Sequence, residues 1–251
     1  SFKPTIEFED LTYNFVTDFE KFLYESGYQT NTVAKHMKHL KSFVNAAINK
    51  GYIDPNNYAF RRYKIKMKEG KHVFLLPEEM KKLEEVSLTG KNSCLEHTLD
   101  AFLFCCYTGL RYSDFVNLNE KNIVKMDGKL WLIFDSVKTG TEVKLPLNLL
   151  FEGKALTLLQ KYRGKWSSFF SIKNNSSVNK ELIRIGKLAK ISKHFSFHSA
   201  RHTNATLLIY KGANITTVQK LLGHKNLATT QIYGEVMGST IIRDLKKCQK
   251  R

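Results

Sequence analysis

Residues 198–233 read HSARHTNATLLIYKGANITTVQKLLGHKNLATTQIY, a stretch dense in groups that can act on a phosphodiester. Arg201 offers a planar fork of N–H donors that matches two phosphate oxygens. His198 and His224 can hydrogen-bond or exchange protons near neutral pH. Tyr233, nine residues beyond His224, carries a hydroxyl that becomes a nucleophile once its deprotonation is assisted, since a free phenol has a pKa of about 10. The stretch also predicts three short helices, at 199–210, 215–222 and 226–233. Gly212 and Gly223 stand where helix ends favour a left-handed residue, and Asn214 stands just ahead of the middle helix.

His-x-x-Arg followed by LLGH and TTQIY at this spacing resembles box II of the tyrosine recombinases, the phage integrase family. Two further elements match: TGLRYSD places Arg111, and DSVKTGTEVKLPL places Lys138 on a hairpin. The likeness runs from about residue 10 to 240, and the chain resembles integrases of conjugative or mobilisable transposons. It implies a mainly α fold with a small antiparallel β-meander, an α+β chain. A helical SAM-like core-binding domain would precede a catalytic domain.

Composition fits a nucleic-acid partner. The 251 residues include 40 Lys and Arg against 23 Asp and Glu, a net charge of +17 with a pI near 9.6. The longest apolar run, Ala101–Tyr107, is too short to cross a bilayer, and neither end carries a basic amphipathic helix. The reading therefore expects no membrane association and a bacterial cytoplasmic, nucleoid-associated protein. Cys94, Cys105, Cys106 and Cys248 lack ligand or disulfide spacing and read as reduced, buried thiols. The chain opens at Ser1, without methionine or a signal segment, and reads as a core-binding plus catalytic portion without an N-terminal arm-binding domain.

Taken in order, residues 10–26 predict a helix with Leu11, Phe15, Phe19, Phe22 and Leu23 on one face. A second runs from Asn31 to Asn49 behind Thr30 as N-cap, with Val33, Met37, Leu40, Val44 and Ile48 inward. Its other side carries Lys35, His36, Lys38, His39, Lys41 and Asn45, either a solvated face or, as the resemblance favours, a surface laid on DNA. A short helix is expected at Asn57–Arg62. RRYKIKMKEGKH, residues 61–72, then sets six cations against one Glu, and Arg61, Arg62 and Lys64 join Lys35 and Lys38 as expected phosphate contacts. The linker is placed at 62–74, with domains at 1–66 and 67–251.

The second part predicts helices at 77–87 and 92–107, Pro77 favouring the first turn of the former. Thr108-Gly109-Leu110 ends the latter and delivers Arg111 ahead of a short helix from Ser113. Taken alone, Arg111 reads as an ion-pair partner of Asp114; the resemblance makes it a phosphate ligand and Asp114 the acid that steadies it. Strands are expected at 122–125, 130–134 and 142–146, joined at Asp127-Gly128 and Thr139-Gly140. Lys138 sits at the second tip, where the resemblance places a general acid; Lys144 is the local competitor. Helices at 148–161 and 178–190 flank a polar loop, 165–177, and Lys180, Arg184, Lys187 and Lys190 are either DNA contacts or a solvated side. Ile241, Ile242 and Leu245 form an apolar face in the tail, docking on a neighbouring subunit or folding back.

Other chemistries find no support. His198 and His202 share the i, i+4 spacing of zinc ligands, but Ser199 stands where the H-E-x-x-H glutamate belongs. No phosphate-binding G-x-x-x-x-G-K-[ST] loop is present, and Ser113 and Ser199 lack a G-x-S-x-G context. No cofactor and no metal are expected. The resemblance implies that Arg111 and Arg201 hold the scissile phosphate, Tyr233 attacks with His198 as base, and Lys138 protonates the leaving 5′ oxygen. His224 binds the phosphate or orients the nucleophile. The product is a 3′-phosphotyrosyl link, with strands exchanged through a Holliday junction. Expected partners are double-stranded recombination sites, a homotetramer on DNA from monomers in solution, and accessory DNA-bending or directionality factors. The alternatives are an idle DNA-binding architectural protein and a type IB topoisomerase-like nicking-closing enzyme.

Overall fold

A computed structural model describes residues 2–68, 70 and 72–233. It falls into two compact units, Ser1–Lys71 and His72–Arg251. No described helix is long and apolar enough to cross a membrane.

The first unit is helical. Its long elements are α1 (Tyr13–Glu25) and α2 (Thr30–Asn49). The Thr12 hydroxyl accepts from the Phe15 N–H, while α2 begins one residue early, with Gln29 at the N-cap and Thr30 already helical. Val16, Leu23, Val33, Met37 and Val44 form the core, with Ile53 and Phe60 beneath them. The short helix expected at Asn57–Arg62 is instead a 3₁₀ turn at Pro55–Asn57, opened by the Asp54 carboxylate accepting from the Asn56 N–H. Much of the stretch read as linker is packed into this unit. Tyr63 and Ile65 lie against its core, and the Asn31 amide both donates to the Lys68 carbonyl and accepts from the Lys68 N–H, each at 2.9 Å.

The second unit is built on a buried helix. After α3 (Pro77–Glu84) and a 3₁₀ segment at Gly90–Leu95, α4 (Glu96–Thr108) has every residue from Thr98 to Thr108 buried. That explains the apolar run and the adjacent Cys105 and Cys106; Cys94, expected to be buried, is exposed on the 3₁₀ segment. The short α5 (Tyr112–Val116) follows. The sheet is an antiparallel meander of β1 (Ile123–Met126), β2 (Lys129–Asp135) and β3 (Glu142–Pro146). Leu132 faces Leu145 and Phe134 faces Val143, and these four are buried, so one side of the sheet packs on the core.

The helix expected over 148–161 is interrupted. Phe151 and Glu152 have positive φ (47° and 60°) in a 3₁₀ segment, and only then does α6 (Lys154–Lys161) begin. The polar run 165–177 hides a helix, α7 (Trp166–Phe170), because Phe169 and Phe170 are fully buried against Phe104 and Phe115. Next come α8 (Asn175–Leu188), α9 (Phe197–Tyr210), α10 (Ile215–Leu222) and the short α11 (Ala228–Gln231). The apolar tail face at Ile241, Ile242 and Leu245, like Cys248, lies outside the described residues.

Candidate active site

Arg201 is the hub. It projects from α9 with 3% of its surface exposed, and its guanidinium ties two helix ends together. Nη1 donates to the Gly109 carbonyl at 2.8 Å, and Nη2 to the Leu222 carbonyl at 2.5 Å. These are carbonyls at the C-terminal ends of α4 and α10, where helices leave acceptors unpaired and favour a cation. Burial, and then the charge of Arg111, push its pKa down to about 10, so it stays charged at neutral pH.

Two glycines make that approach possible. Gly109 (φ +74°) caps α4, and a Cβ there would lie 2.6 Å from Leu222 Cδ2 and 2.8 Å from Asn204 Oδ1. Gly223 (φ +62°) caps α10, and its Cβ would meet Val143 Cγ2 at 2.7 Å. Both positions need a left-handed backbone and no side chain. The Gly223–His224 turn thereby rests on β3.

Arg111 leaves the Gly109 turn as the residue ahead of α5. Its Nη1 donates to Ser136 Oγ at 2.9 Å and lies 3.4 Å from the buried Asp114 carboxylate. Asp114 also accepts the Val137 N–H at 2.9 Å. One carboxylate therefore braces the arginine and fixes the base of the loop that presents Lys138. Lys138 is exposed at that tip, between the Ser136 and Thr141 pairing. Lys144 faces outward and pairs with Glu142 at 2.8 Å.

Two histidines lie beside these cations. The His224 Nδ1 pairs with the buried Thr230 hydroxyl at 2.9 Å. Desolvation, then Arg201, Arg111 and Lys138, depress its pKa to about 4. His198 opens α9 with an exposed ring, its pKa lowered by desolvation and then by the same three cations. Both histidines thus lie within electrostatic reach of three cations, Arg201, Arg111 and Lys138. A cluster of this sign has an obvious complement in a phosphate.

Tyr233 is 5% exposed and packs with Ala205, Ile209, Val218 and Leu222. Burial raises its phenol pKa, opposed by Arg201 and Arg111. Its hydroxyl lies 2.9 Å from the Nδ1 of His202, one residue past Arg201. His202 in turn sits between two other imidazoles, His198 at 4.6 Å and His72 at 4.7 Å between ring centres. Sequence reading singled out neither Ser136 nor His72, and noticed His202 only for its spacing from His198. The available signals are that His202 follows Arg201 directly and that Ser136 stands two residues before the hairpin lysine.

The phage integrase family signature covers residues 73–238, and the phage integrase SAM-like domain signature covers residues 1–66. The chain belongs to the phage integrase family. It is 30% identical over 241 residues to the tyrosine recombinase XerC of Oceanobacillus iheyensis, spanning 90% of this chain and 77% of that protein. A tyrosine recombinase of Pseudothermotoga lettingae is also 30% identical, over 92% of this chain and 80% of its own length. Among solved structures, a lambda integrase dimer bound to a COC′ core site matches at TM-score 0.77 and 19% identity, covering 94% of this chain and 84% of that one. The Tn1549 transposon integrase in complex with circular intermediate DNA matches at TM-score 0.72 and 18% identity, covering 94% and 85%. The chain is accordingly a tyrosine-type site-specific recombinase by family, with the mainly helical fold and small meander of integrases.

The residues expected to touch DNA in the first unit are all exposed: Lys35, Lys38, Arg61, Arg62 and Lys64. Lys38 Nζ lies 2.8 Å from Met67 Sδ, and Arg61 donates to the Pro55 carbonyl at 3.0 Å.

Proposed function

We propose that Tyr233 cleaves one DNA strand by direct attack on phosphorus, leaving a 3′-phosphotyrosyl link that a second 5′-hydroxyl resolves. The observation that carries this reading is a buried tyrosine within the field of two arginines, themselves braced by backbone carbonyls and Asp114. Arg111 and Arg201 bind the non-bridging oxygens and offset charge that grows in the pentavalent transition state. Lys138 gives its proton to the leaving 5′ oxygen from a hairpin fixed at Val137. His198 is exposed at the mouth of the site and His224 is held by Thr230, so each can donate to the phosphate. The chemistry needs no metal and no cofactor, because the fixed cations take the electrostatic role.

The first unit, with Lys35, Lys38, Arg61, Arg62 and Lys64, holds the duplex through phosphates, and sequence is read elsewhere. Four protomers would act on two recombination sites through a Holliday junction, assembling from monomers on DNA. The likeness in fold to lambda integrase, one structure of which is a tetramer bound to a Holliday junction, supports that assembly. The source would be a mobile element, acting at the bacterial nucleoid with accessory bending or directionality factors.

A library of nicked duplexes with randomised sequence beside the nick tests the reading without a known site. Cleavage near a nick releases a short piece and traps the enzyme on DNA. The expected result is an adduct that survives denaturation, forms in EDTA and is absent from Tyr233→Phe. Free ends that require magnesium would overturn it.

A further inference from the structure

An imidazole serves an anion only through a ring nitrogen that carries hydrogen, and in the neutral ring that is one of two. We propose that Thr230 is a positioning residue: by donating to His224 Nδ1, it leaves the ring hydrogen on Nε2 as a donor to the scissile phosphate. The inference rests on the function proposed above. Nδ1 and the Thr230 hydroxyl lie 2.9 Å apart, and either could donate across that distance. Burial decides between them. Thr230 is fully buried, and its hydroxyl makes no other hydrogen bond among the described residues. Were Nδ1–H the donor, the hydroxyl hydrogen would be left inside the protein without an acceptor, which folded chains avoid. Donation from the hydroxyl to Nδ1 satisfies both groups. Desolvation and the three nearby cations push the His224 pKa down to about 4, so near neutral pH the ring holds one hydrogen. It falls on Nε2, which has no hydrogen-bond partner among the described residues.

The backbone that carries the ring is pinned as well. The His224 N–H donates to the Gln219 carbonyl at 3.1 Å, and the His224 carbonyl accepts from Gln219 Nε2 at 3.0 Å. Thr230 also reaches the nucleophile, since its carbonyl accepts the Tyr233 N–H at 3.1 Å. One residue of α11 therefore braces both the donor to the phosphate and the backbone of the group that attacks it. A hydroxyl suits this place better than a carboxylate. A carboxylate would accept from Nδ1–H and turn Nε2 of the neutral ring into an acceptor facing an anion.

Two measurements test this. Nuclear magnetic resonance of the DNA-free protein, with its histidines labelled by nitrogen-15, reports which ring nitrogens carry hydrogen; His224 is assigned by its loss in His224→Phe. The expected wild-type spectrum near neutral pH has hydrogen on His224 Nε2 and none on Nδ1, and Thr230→Val should show both tautomers. Hydrogen on Nδ1 in the wild type would overturn the proposal, whatever the enzyme does with DNA. The second measurement is single-turnover adduct formation on a duplex captured by wild-type enzyme, with DNA affinity followed separately. Thr230→Val is expected to slow cleavage about tenfold, the scale of one hydrogen bond to the transition state, with affinity within about twofold. Thr230→Ser keeps the hydroxyl and should restore most of the rate. In a His224→Phe background, Thr230→Val should slow cleavage no further, because no ring nitrogen is left to orient. Equal slowing in both backgrounds, or a wild-type rate in Thr230→Val, would overturn the proposal. Should Thr230→Val fail to fold, the wild-type spectrum decides alone. A wild-type enzyme that captures no duplex would instead sink the function on which the inference rests, even with the expected spectrum.

Discussion

At the residue scale the site is a balance between burial and charge. Burial raises the Tyr233 phenol, and Arg201 and Arg111 pull it back, so the hydroxyl is protonated at rest beside two cations. The same enclosure depresses His202 to about 3 and His224 to about 4, each mainly by desolvation. Unfolded imidazoles bind protons below about pH 6.5 that the folded ones refuse. This contribution to stability is therefore complete above about pH 6.5 and is lost as acid approaches the folded values. The melting temperature should fall between about pH 6.5 and 4. His224→Gln should flatten that slope relative to wild type, and identical slopes by thermal denaturation would contradict the assignment. The two glycines give a second expectation. Gly109→Ala forces a left-handed alanine against Leu222 and Asn204, and should cost about 2 kcal/mol or more in urea unfolding. An unchanged midpoint would show that the α4 end relaxes freely.

At the element scale, Lys138 owes its position to a carboxylate two elements away. Asp114 on α5 accepts the Val137 N–H and braces Arg111, with the Ser136 hydroxyl between them. Asp114→Ala should strand that N–H at a cost of about 1–3 kcal/mol. It should also slow adduct formation by tenfold or more, with DNA affinity little changed. An unaffected cleavage rate would show that the hairpin holds itself. Which elements exist was legible wherever periodicity or a capping glycine marked them, as in α2, α4, the meander and α10. The misses have physical causes. Phe169 and Phe170 drive α7 from within a run of Ser, Lys and Asn, so local polarity hid a core contact. Phe151 and Glu152 break a helical pattern through positive φ at residues that carry no such signal. Thr30 reads as a cap, yet it is the first helical residue and Gln29 holds the cap position.

At the scale of the whole molecule, a charge of +17 has a measurable consequence. If six phosphates are neutralised, affinity should fall by about a thousandfold between 50 and 200 mM salt. Lys35→Ala and Lys38→Ala should each flatten the logarithmic slope by about one, whatever the DNA sequence. A salt-independent affinity measured by fluorescence anisotropy would remove the phosphate grip. The motif residues of the site were legible because their spacing is so particular. Their mutual bracing was not, since Arg201 reaches carbonyls 92 and 21 residues away and Tyr233 meets a histidine 31 residues back. The most direct test of the account is the site of covalent attachment. Trypsin digestion of the denatured adduct, followed by mass spectrometry, should find nucleotide on the peptide that begins at Asn226, linked to Tyr233. Attachment at Tyr210, at a serine, or at no residue of the chain would contradict it.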